Sequence, residues 1–443
     1  MANTDINPYG QGGVMPDGYP IADNLTTNSA NKALSARQGK VLKEMMVQPS
    51  TIPNYLLLGN PTDVIYTIDD FMLAHEYDQA NNIDNLKFSN DLGKTWTTVT
   101  NTYGIIVNAF MFADGTFLMG CRNGNDGCKM YWTRDFSTFT EATILDYNGD
   151  PFVAENGKTR FYILKPQCKH VYVDGTEYYC FWDYIISASE PRMWYALSDE
   201  TGVTIRAAFA FGYSQIDGNT ISARHIHFFG YNPYDKYFYC LTGDSVSQCH
   251  VLKGRHTNHV WAWEILATGG GYKLTSARFD EGNMYAVTDY TESALAGAKG
   301  IVSIPIDKIG LTTTIGDVVV PAKMRYWFHA TPSFMGSAAL SAYITDNNGW
   351  RFAGTDFRGG SRHLIAKGNH NFMWVDNDKG VKFECILGPN NQGDVIAAAV
   401  TPGGSYTGDS WLKMSHMTHY NLTEAMRRSG ATDFFEGWEG TPM

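Results

Sequence analysis

Residues 89–96 read SNDLGKTW, inside the longer stretch KFSNDLGKTWTTV (87–99). Ser89 and Asp91 carry short side chains whose oxygens accept hydrogen bonds from N–H groups of their own turn. Gly93 is free to take the positive φ that closes such a turn, and Thr95 with Trp96 returns the chain to extended backbone. The segment therefore predicts a self-stapled hairpin between two strands. Three weaker copies follow. MYWTRDFSTFTEA (130–142) sets Thr133 and Asp135 where Ser89 and Asp91 stand, with Phe139 in place of the tryptophan. MWYALSDETGVTI (193–205) offers Ser198, Asp199 and Gly202, and HVLKGRHTNHVWAWEI (250–265) keeps the aromatic end as Trp261 and Trp263. One decaying motif, spaced along the chain, implies a repeat.

From about Tyr55 to Ser429 the sequence is a succession of short β-rich runs broken by Gly, Asn and Asp, such as FMLAHEY, GTFLMGC, TEYYCFWDYII, KYFYCLTG and NMYAVTD. They group into units of a strand, a turn, a second strand and two weaker strands ending on an aromatic residue. Units begin near Val64, Ile105, Lys169, Ala223, Lys273, Ala339 and Val381, a spacing of about 40 to 60 residues that suits four-stranded blades with loops. The interval from Lys273 to Ala339 is irregular. The expected fold is all-β, a β-propeller of six or seven four-stranded blades.

The spacing S-x-D-x-G-x-T-W is similar, position for position, to the Asp-box of sialidases and related propellers: Ser89, Asp91, Gly93, Thr95 and Trp96. In the families that carry it the box lies on the turn between the outer two strands, away from the central active site. The resemblance thus implies a fold, and for Asp91 a structural role, more than it implies a chemistry.

Bulk composition narrows the function. Hydrophobic residues are 44% and aromatics 14%, with 18% charged, so the chain folds rather than staying disordered. A formal net charge of -11, with no Lys or Arg run, provides no footprint for nucleic-acid phosphates. No apolar stretch approaches the roughly 20 residues of a membrane span. The start, MANTDINPYGQGG, lacks the basic and apolar regions of an ordinary signal peptide. Seven scattered cysteines form no dense disulfide framework. Cys121 with Cys128, and Cys240 with Cys249, flank turns and could pair across them, although free buried thiols are the favoured reading.

The N-terminal region divides in two. Residues 1–28 are rich in Gly, Pro, Asn and Asp and lack a core, with Tyr9, Met15, Tyr19 and Ile21 as apolar anchors for ordering against a partner. Residues 29–50 hold a short helix: Ser35 and Gln38 form a capping box, Ala36 to Val47 are good helix formers, and Pro49 ends them. Gln38, Val41, Leu42 and Met45 follow a 3-4 spacing that suits a small parallel bundle of identical chains. NLTTNSANKALSARQGKVLK (24–43) resembles the "ALSAxQGxxL" segment near the N-terminus of many bacteriophage tail-fibre and virion-appendage proteins. There the segment lies between a virion-attachment peptide and a distal receptor-binding domain, and the fibres are typically trimers. The propeller domain then runs over 51–443, with a short C-terminal helix near 421–429 opened by Asn421.

Sialidases of this resemblance bind the substrate carboxylate with three arginines, the first in an early F/Y-R-I-P segment. None occurs here, and NYLLLGNPTDVIYTIDD (54–70) contains no arginine. That departure argues against catalysis, and no catalytic residue is assigned. A candidate ligand site remains in Arg224, His225 and His227 of SARHIH and Arg278 of SARF, placed on first strands of successive units, with Arg325, Arg358, Arg362, Glu264, Asp356 and Glu384 in further reach. His225 and His227 alternate on one face and offer two metal ligands without an evident third, so channel-lining histidines are favoured over a metal site. No cofactor is expected; the acidic turns DYNGDP at Asp146 and VDNDKG at Val375 carry calcium-type oxygens but read first as solvated turns. Exposed Trp and Tyr faces suit sugars, though most of the 11 Trp and 26 Tyr must fill the core.

The expectation is a tail or head fibre of a phage virion, made in the bacterial host cytoplasm. Its partners are other virion proteins at the N-terminus, itself as a homotrimer, and a host cell-surface glycan or protein. An exo-acting glycosidase of sialidase type and a purely structural decoration protein are the rival readings.

Overall fold

The computed structural model describes most of residues 62–329 and, beyond them, strands between 350 and 436; before residue 62 it describes 21–22 and 33–34. The chain divides into two compact units, Met1–Asn54 and Tyr55–Met443. In the first, Ile21–Ala22 and Ala33–Leu34 pair as short parallel strands, with Ile21 opposite Ala33. The helix expected over 36–47, with Gln38, Val41, Leu42 and Met45, and the anchors Tyr9, Met15 and Tyr19 lie outside the described residues.

In the second unit the described residues form seven main sheets. The first is built from Thr62–Ile68, Phe71–Asp78, Ile83–Ser89 and Thr97–Val99, and the second from Ile105–Met111, Phe117–Arg122, Cys128–Thr133 and Thr140–Glu141. The third comprises Lys169–Val173, Thr176–Trp182, Arg192–Asp199 and Gly202–Ala210, with Thr143–Leu145 added in parallel on its outer edge. His225–Asn232, Tyr237–Gly243, His250–Thr257 and Val260–Thr268 make the fourth; Leu274–Phe279, Asn283–Thr288, Gly300–Pro305 and Arg325–His329 make the fifth. The sixth combines Trp350–Asp356, Arg362–Lys367 and Asn371–Asp376 with Phe435–Glu436 from the end of the chain, and Lys382–Leu387, Ile396–Val400 and Met417–Asn421 form the seventh.

These starts fall close to the seven read from sequence, the largest difference being Trp350 for a unit expected near Ala339. The irregular interval has a physical cause. A hairpin, Thr312–Ile315 with Val318–Pro321, is inserted between the third and fourth strands of the fifth sheet. It folds back on the Gly270–Tyr272 turn, where a Cβ on Gly271 would stand 2.5 Å from Val320 Cα, so the close approach requires glycine. Asn421, expected to open a helix, is the last residue of a strand, and 422–429 lie outside the described residues. No described helix is long and apolar enough to cross a membrane.

Side-chain alternation explains why the sheets stack. In Thr176–Trp182 consecutive residues Tyr179, Cys180, Phe181 and Trp182 are all buried, which a strand achieves only when both faces of its sheet are covered. Tyr179 and Phe181 join Phe110, Leu118 and Met130 of the second sheet. Cys180 and Trp182 turn the other way and pack with Ile226, Phe229 and Phe238 of the fourth. The next layer, between the fourth and fifth sheets, brings Phe228, Tyr239 and Leu241 against Leu274, Met284 and Ala286. The third and fourth sheets therefore each divide their residues between two neighbours, and burying a large apolar side chain in such a layer contributes roughly 1.5–3 kcal/mol.

A repeated irregularity marks the first strands. Pairing of first with second strand slips by one residue at Ile65, Val107, His227, Ser276, Ala353 and Glu384, the third or fourth residue of each strand. Such bulges bend a strand and sharpen its twist. First strands also lie side by side: Thr62–Ile68 beside Ile105–Met111, Lys169–Val173 beside His225–Asn232, the latter beside Leu274–Phe279, and Trp350–Asp356 beside Lys382–Leu387. Thr62–Ile68 also lies beside Met417–Asn421 of the seventh sheet.

Cys121, Cys180, Cys240 and Cys249 are buried thiols outside any disulfide, so Cys240 and Cys249 do not bridge their turn. Burial alone pushes the Cys240 thiol well above its ordinary value.

Candidate functional site

The fourth and fifth sheets begin alike. A basic residue, Arg224 or Lys273, precedes the first strand, and an aspartate, Asp244 or Asp289, follows the second. Antiparallel pairing of His225 with Gly243 and of Leu274 with Thr288 sets each acid across from its base. The backbone N–H of Asp289 donates to the Lys273 carbonyl at 2.9 Å. Because the two sheets face each other, the ends merge into one cluster.

Asp244 is its centre. His225 Nε2 donates to Asp244 Oδ2 at 2.6 Å, and Arg224 Nη1 lies 3.5 Å from the same oxygen. Lys273 Nζ stands 3.8 Å from Asp244 Oδ1 and 3.9 Å from Asp289 Oδ2, its side chain only 5% exposed. His227 Nε2 is 4.0 Å from Asp244 Oδ1, and its Nδ1 is 3.1 Å from the Leu274 carbonyl, which makes Nδ1 the protonated nitrogen of a neutral ring. His227 occupies the bulge of its strand and lies over Gly243, where a Cβ would come within 1.9 Å of its Cε1. Asp244 itself takes φ 87°, an uncommon conformation outside glycine that a structure holds only where its surroundings over-determine it.

The electrostatics follow from burial and neighbours. Loss of hydration holds the His227 imidazole down to about 4, against the opposing pull of Asp244. Burial also works to raise the Asp244 carboxyl, but the His225 hydrogen bond and the Coulombic pull of its basic neighbours, Lys273 among them, outweigh it and bring it to about 2. Two cations, Arg224 and Lys273, thus balance two carboxylates, Asp244 and Asp289.

Ligand atoms of His227, Asp244 and Asp289 lie within 4.8 Å of one another, a spacing a divalent cation would accept. The Lys273 ammonium, close to both carboxylates, already supplies the positive charge there. As built, the cluster is a buried ion-pair network that presents half-exposed Arg224 to solvent. Glycoside hydrolysis needs a carboxylic acid still protonated beside the substrate, and Asp244 is ionised. The carboxyl pushed up to about 7 by burial is Asp183, fully enclosed and bonded to Trp194 Nε1 at 3.0 Å and Arg192 N at 3.1 Å. It occupies in the third sheet the place of Asp244 and Asp289. Sequence reading missed this series, although the signal was present: CFWD, LTGD and AVTD each set an aspartate directly after a second strand.

Arg224, His225 and His227 are therefore brought together, whereas Arg278 sits near the other end of Leu274–Phe279, about 17 Å from Lys273 by strand rise. Glu264 and Arg325 lie on fourth strands. Asp356 ends the first strand of the sixth sheet, Arg362 begins its second, Glu384 is the bulge residue of the seventh, and Arg358 lies outside the described residues.

The hairpin at 89–96 joins the third and fourth strands of the first sheet. Asp91 Oδ1 accepts from Ser89 Oγ at 2.7 Å and from Thr95 N at 2.9 Å, Asp91 Oδ2 accepts from Thr95 Oγ1 at 2.7 Å, and Ser89 Oγ accepts from Asp91 N at 3.3 Å. Trp96 leads into the fourth strand; Gly93 lies outside the described residues. The same turn of the second sheet repeats the staple: Thr133 Oγ1 accepts from the N–H groups of Asp135 and Phe136, and Asp135 Oδ1 from those of Ser137 and Thr138. Phe136 there takes φ 55°. In the third sheet Asp199 Oδ1 accepts from Thr201 N and Gly202 N. In the fourth, Trp261 and Trp263 lie on the strand after the equivalent turn.

Comparison with known proteins bears chiefly on the N-terminal unit. Residues 21–52 match the family model for phage tail fibre repeats. That unit carries a phage-fibre segment. No curated protein matches the chain in sequence. Among solved structures, a puromycin hydrolase is similar with a TM-score of 0.45 and 10% identity over 89% of this chain and 57% of that one. A Mycobacterium tuberculosis puromycin-hydrolyzing peptidase gives 0.40 and 11% over 80% and 51%, and a prolyl endopeptidase 0.44 and 9% over 88% and 51%. The chain spans about half the length of these proteins.

Proposed function

We propose that the protein is a trimeric appendage of a tailed-phage virion, docked through its N-terminus, whose second unit is a closed seven-bladed propeller that binds the host surface without hydrolysing it. The observation that carries this reading is the fibre-repeat segment at 21–52, directly before a domain of stacked four-stranded sheets. A ring is supported by first strands lying side by side and by Thr62–Ile68 meeting the last sheet. Full closure removes the exposed edges of an all-β chain. Binding without cleavage is supported by the enclosure of Asp183, the described carboxyl that burial pushes up to about 7. The N-terminal residues Tyr9, Met15, Tyr19 and Ile21 then meet other virion proteins, and Gln38, Val41, Leu42 and Met45 hold the trimer.

The test is genetic and hydrodynamic. Particles lacking the protein should assemble yet adsorb poorly to host cells, and the purified chain should scatter light as a trimer. A monomer that is missing from purified virions overturns the reading. Normal adsorption by deleted particles would leave a decoration role instead.

A further inference from the structure

A groove of about 640 Å³ opens between the outer strands of the third and fourth sheets, away from the Asp244 cluster. Its floor is Arg206 of Gly202–Ala210 and the paired rings of Trp261 and Trp263, stacked 5.2 Å apart at 9°. One wall is the turn after Thr143–Leu145, with Tyr147 45% exposed; the other is the segment after Ala210, with Tyr213 37% exposed. We propose that this groove binds a short acidic oligosaccharide, a carboxylate-bearing sugar seated on Arg206 with its ring faces against the aromatic side chains. The proposal rests on the host-binding reading and gives it a place and a ligand class.

Three observations carry it. First, the groove is built before any ligand arrives. Arg192 Nε holds Asp146 Oδ1 at 3.3 Å, and the same guanidinium lies 4.8 Å from the Phe152 ring centre and 5.3 Å from that of Tyr213. Tyr213 Oη donates to Glu190 Oε2 at 2.7 Å, and the 146–150 turn is closed by Asp146 N to Asp150 O at 2.8 Å, with Gly149 at φ 86°. Trp263 is seated on Gly254, where a Cβ would come within 2.3 Å of its ring, and donates through Nε1 to the Ala208 carbonyl at 3.1 Å. A site held in its bound form spends less of its interaction energy on ordering. Second, exposed aromatic faces flank polar side chains, the arrangement that stacks on the apolar face of a sugar while bonding its hydroxyls. Third, the half-buried Arg206 guanidinium makes no side-chain hydrogen bond or ion pair among the described residues, and Asp146 is already engaged by Arg192. A guanidinium left over in a concave aromatic site matches the planar fork of a carboxylate.

Isothermal titration tests this on the full-length protein, with trimers of galacturonate, mannuronate and glucuronate as acidic probes and maltotriose as the neutral one. At least one uronate should bind, more tightly than maltotriose. Arg206→Gln, which breaks no side-chain hydrogen bond or ion pair among the described residues, should weaken it at least tenfold and leave maltotriose unchanged; Tyr147→Ala should weaken it several-fold, and Lys308→Ala in the turn after Gly300–Pro305 not at all. Equal binding of acidic and neutral trimers, no uronate binding, or uronate binding insensitive to Arg206→Gln overturns the proposal. Adsorption to host cells separates the two readings. Cell binding that survives both groove variants removes the groove and keeps host binding, whereas a wild-type protein that does not bind cells removes host binding itself.

Discussion

Lowering the pH from 7.5 to 5 should unfold this protein more readily, and His227 allows the size of the effect to be worked out. Its side chain is 4% exposed and burial holds the imidazole at about 4 against an ordinary 6.5. The unfolded chain therefore takes up the proton first. The stability contributed by a neutral His227 is complete above about pH 6.5 and is lost as the pH falls through 6.5 towards 4. The difference between the two values amounts to about 2 kcal/mol at pH 5 and saturates at about 3 kcal/mol in stronger acid. Of the charged neighbours, Asp244, lowered to about 2, changes only in stronger acid. His250, also lowered by burial, contributes in the same direction but equally in a variant at position 227. The measurement is urea unfolding of wild type and His227→Gln at pH 7.5, 6 and 5. The variant should be the less stable at pH 7.5, having lost the Leu274 hydrogen bond and the packing on Gly243, and the gap should close by about 2 kcal/mol at pH 5. A gap that stays constant within about 0.5 kcal/mol would refute the assignment of His227 as a buried neutral histidine.

Two further substitutions probe the same construction. Gly243→Ala drives a methyl into the His227 ring and should cost about 1–3 kcal/mol; the double variant Gly243→Ala, His227→Ala should recover part of that loss, and simple additivity would deny the contact. Asp91→Ala removes the acceptor for three donors at 2.7 to 2.9 Å, and a loss of about 1–2 kcal/mol is expected by urea unfolding. Unchanged stability there would mean the turn is held by its backbone alone.

How much of this was legible beforehand depended on the range of the physics involved. The SNDLGKTW hairpin is local: its donors and acceptors lie within four residues, so spacing alone announced the staple. Unit starts at Ile105 and Lys169 were equally readable, because strand alternation and turn residues act over short stretches. The inserted hairpin at 312–321 was hidden because TTTI and VVVP read as ordinary strands, and only the bare backbone at Gly271 accommodates their fold-back. Of the expected ligand residues, Arg224, His225 and His227 do meet, but their shared partner Asp244 lies across a hairpin and Lys273 on the next sheet. No local pattern joins those positions. Arg278 groups with Arg224 in the sequence because both are placed on first strands of successive units, whereas register gives the Arg224 position to Lys273. The outer groove was less legible still, since Tyr147, Arg206 and Trp261 come from three separated segments.

Lys273 decides what the Asp244 cluster is. Its ammonium sits near both carboxylates where a metal would otherwise balance them. Lys273→Met keeps much of the volume and removes the charge, leaving Asp244 and Asp289 as neighbouring, partly exposed anions without their buried ammonium, a loss on the order of 1–3 kcal/mol. The variant also leaves one nitrogen and two carboxylate groups within 4.8 Å of one another, with His227 neutral at pH 7 and His225 orienting Asp244 as an outer partner. A metal site needs those features. Zinc or manganese should therefore raise the melting temperature of Lys273→Met in proportion to the logarithm of its concentration, and leave the wild type unmoved. Stabilisation of the wild type by the same ions would show that Lys273 yields to a metal, making the cluster a metal centre; a variant indifferent to both ions would show that the three ligands are held too rigidly apart to close on one.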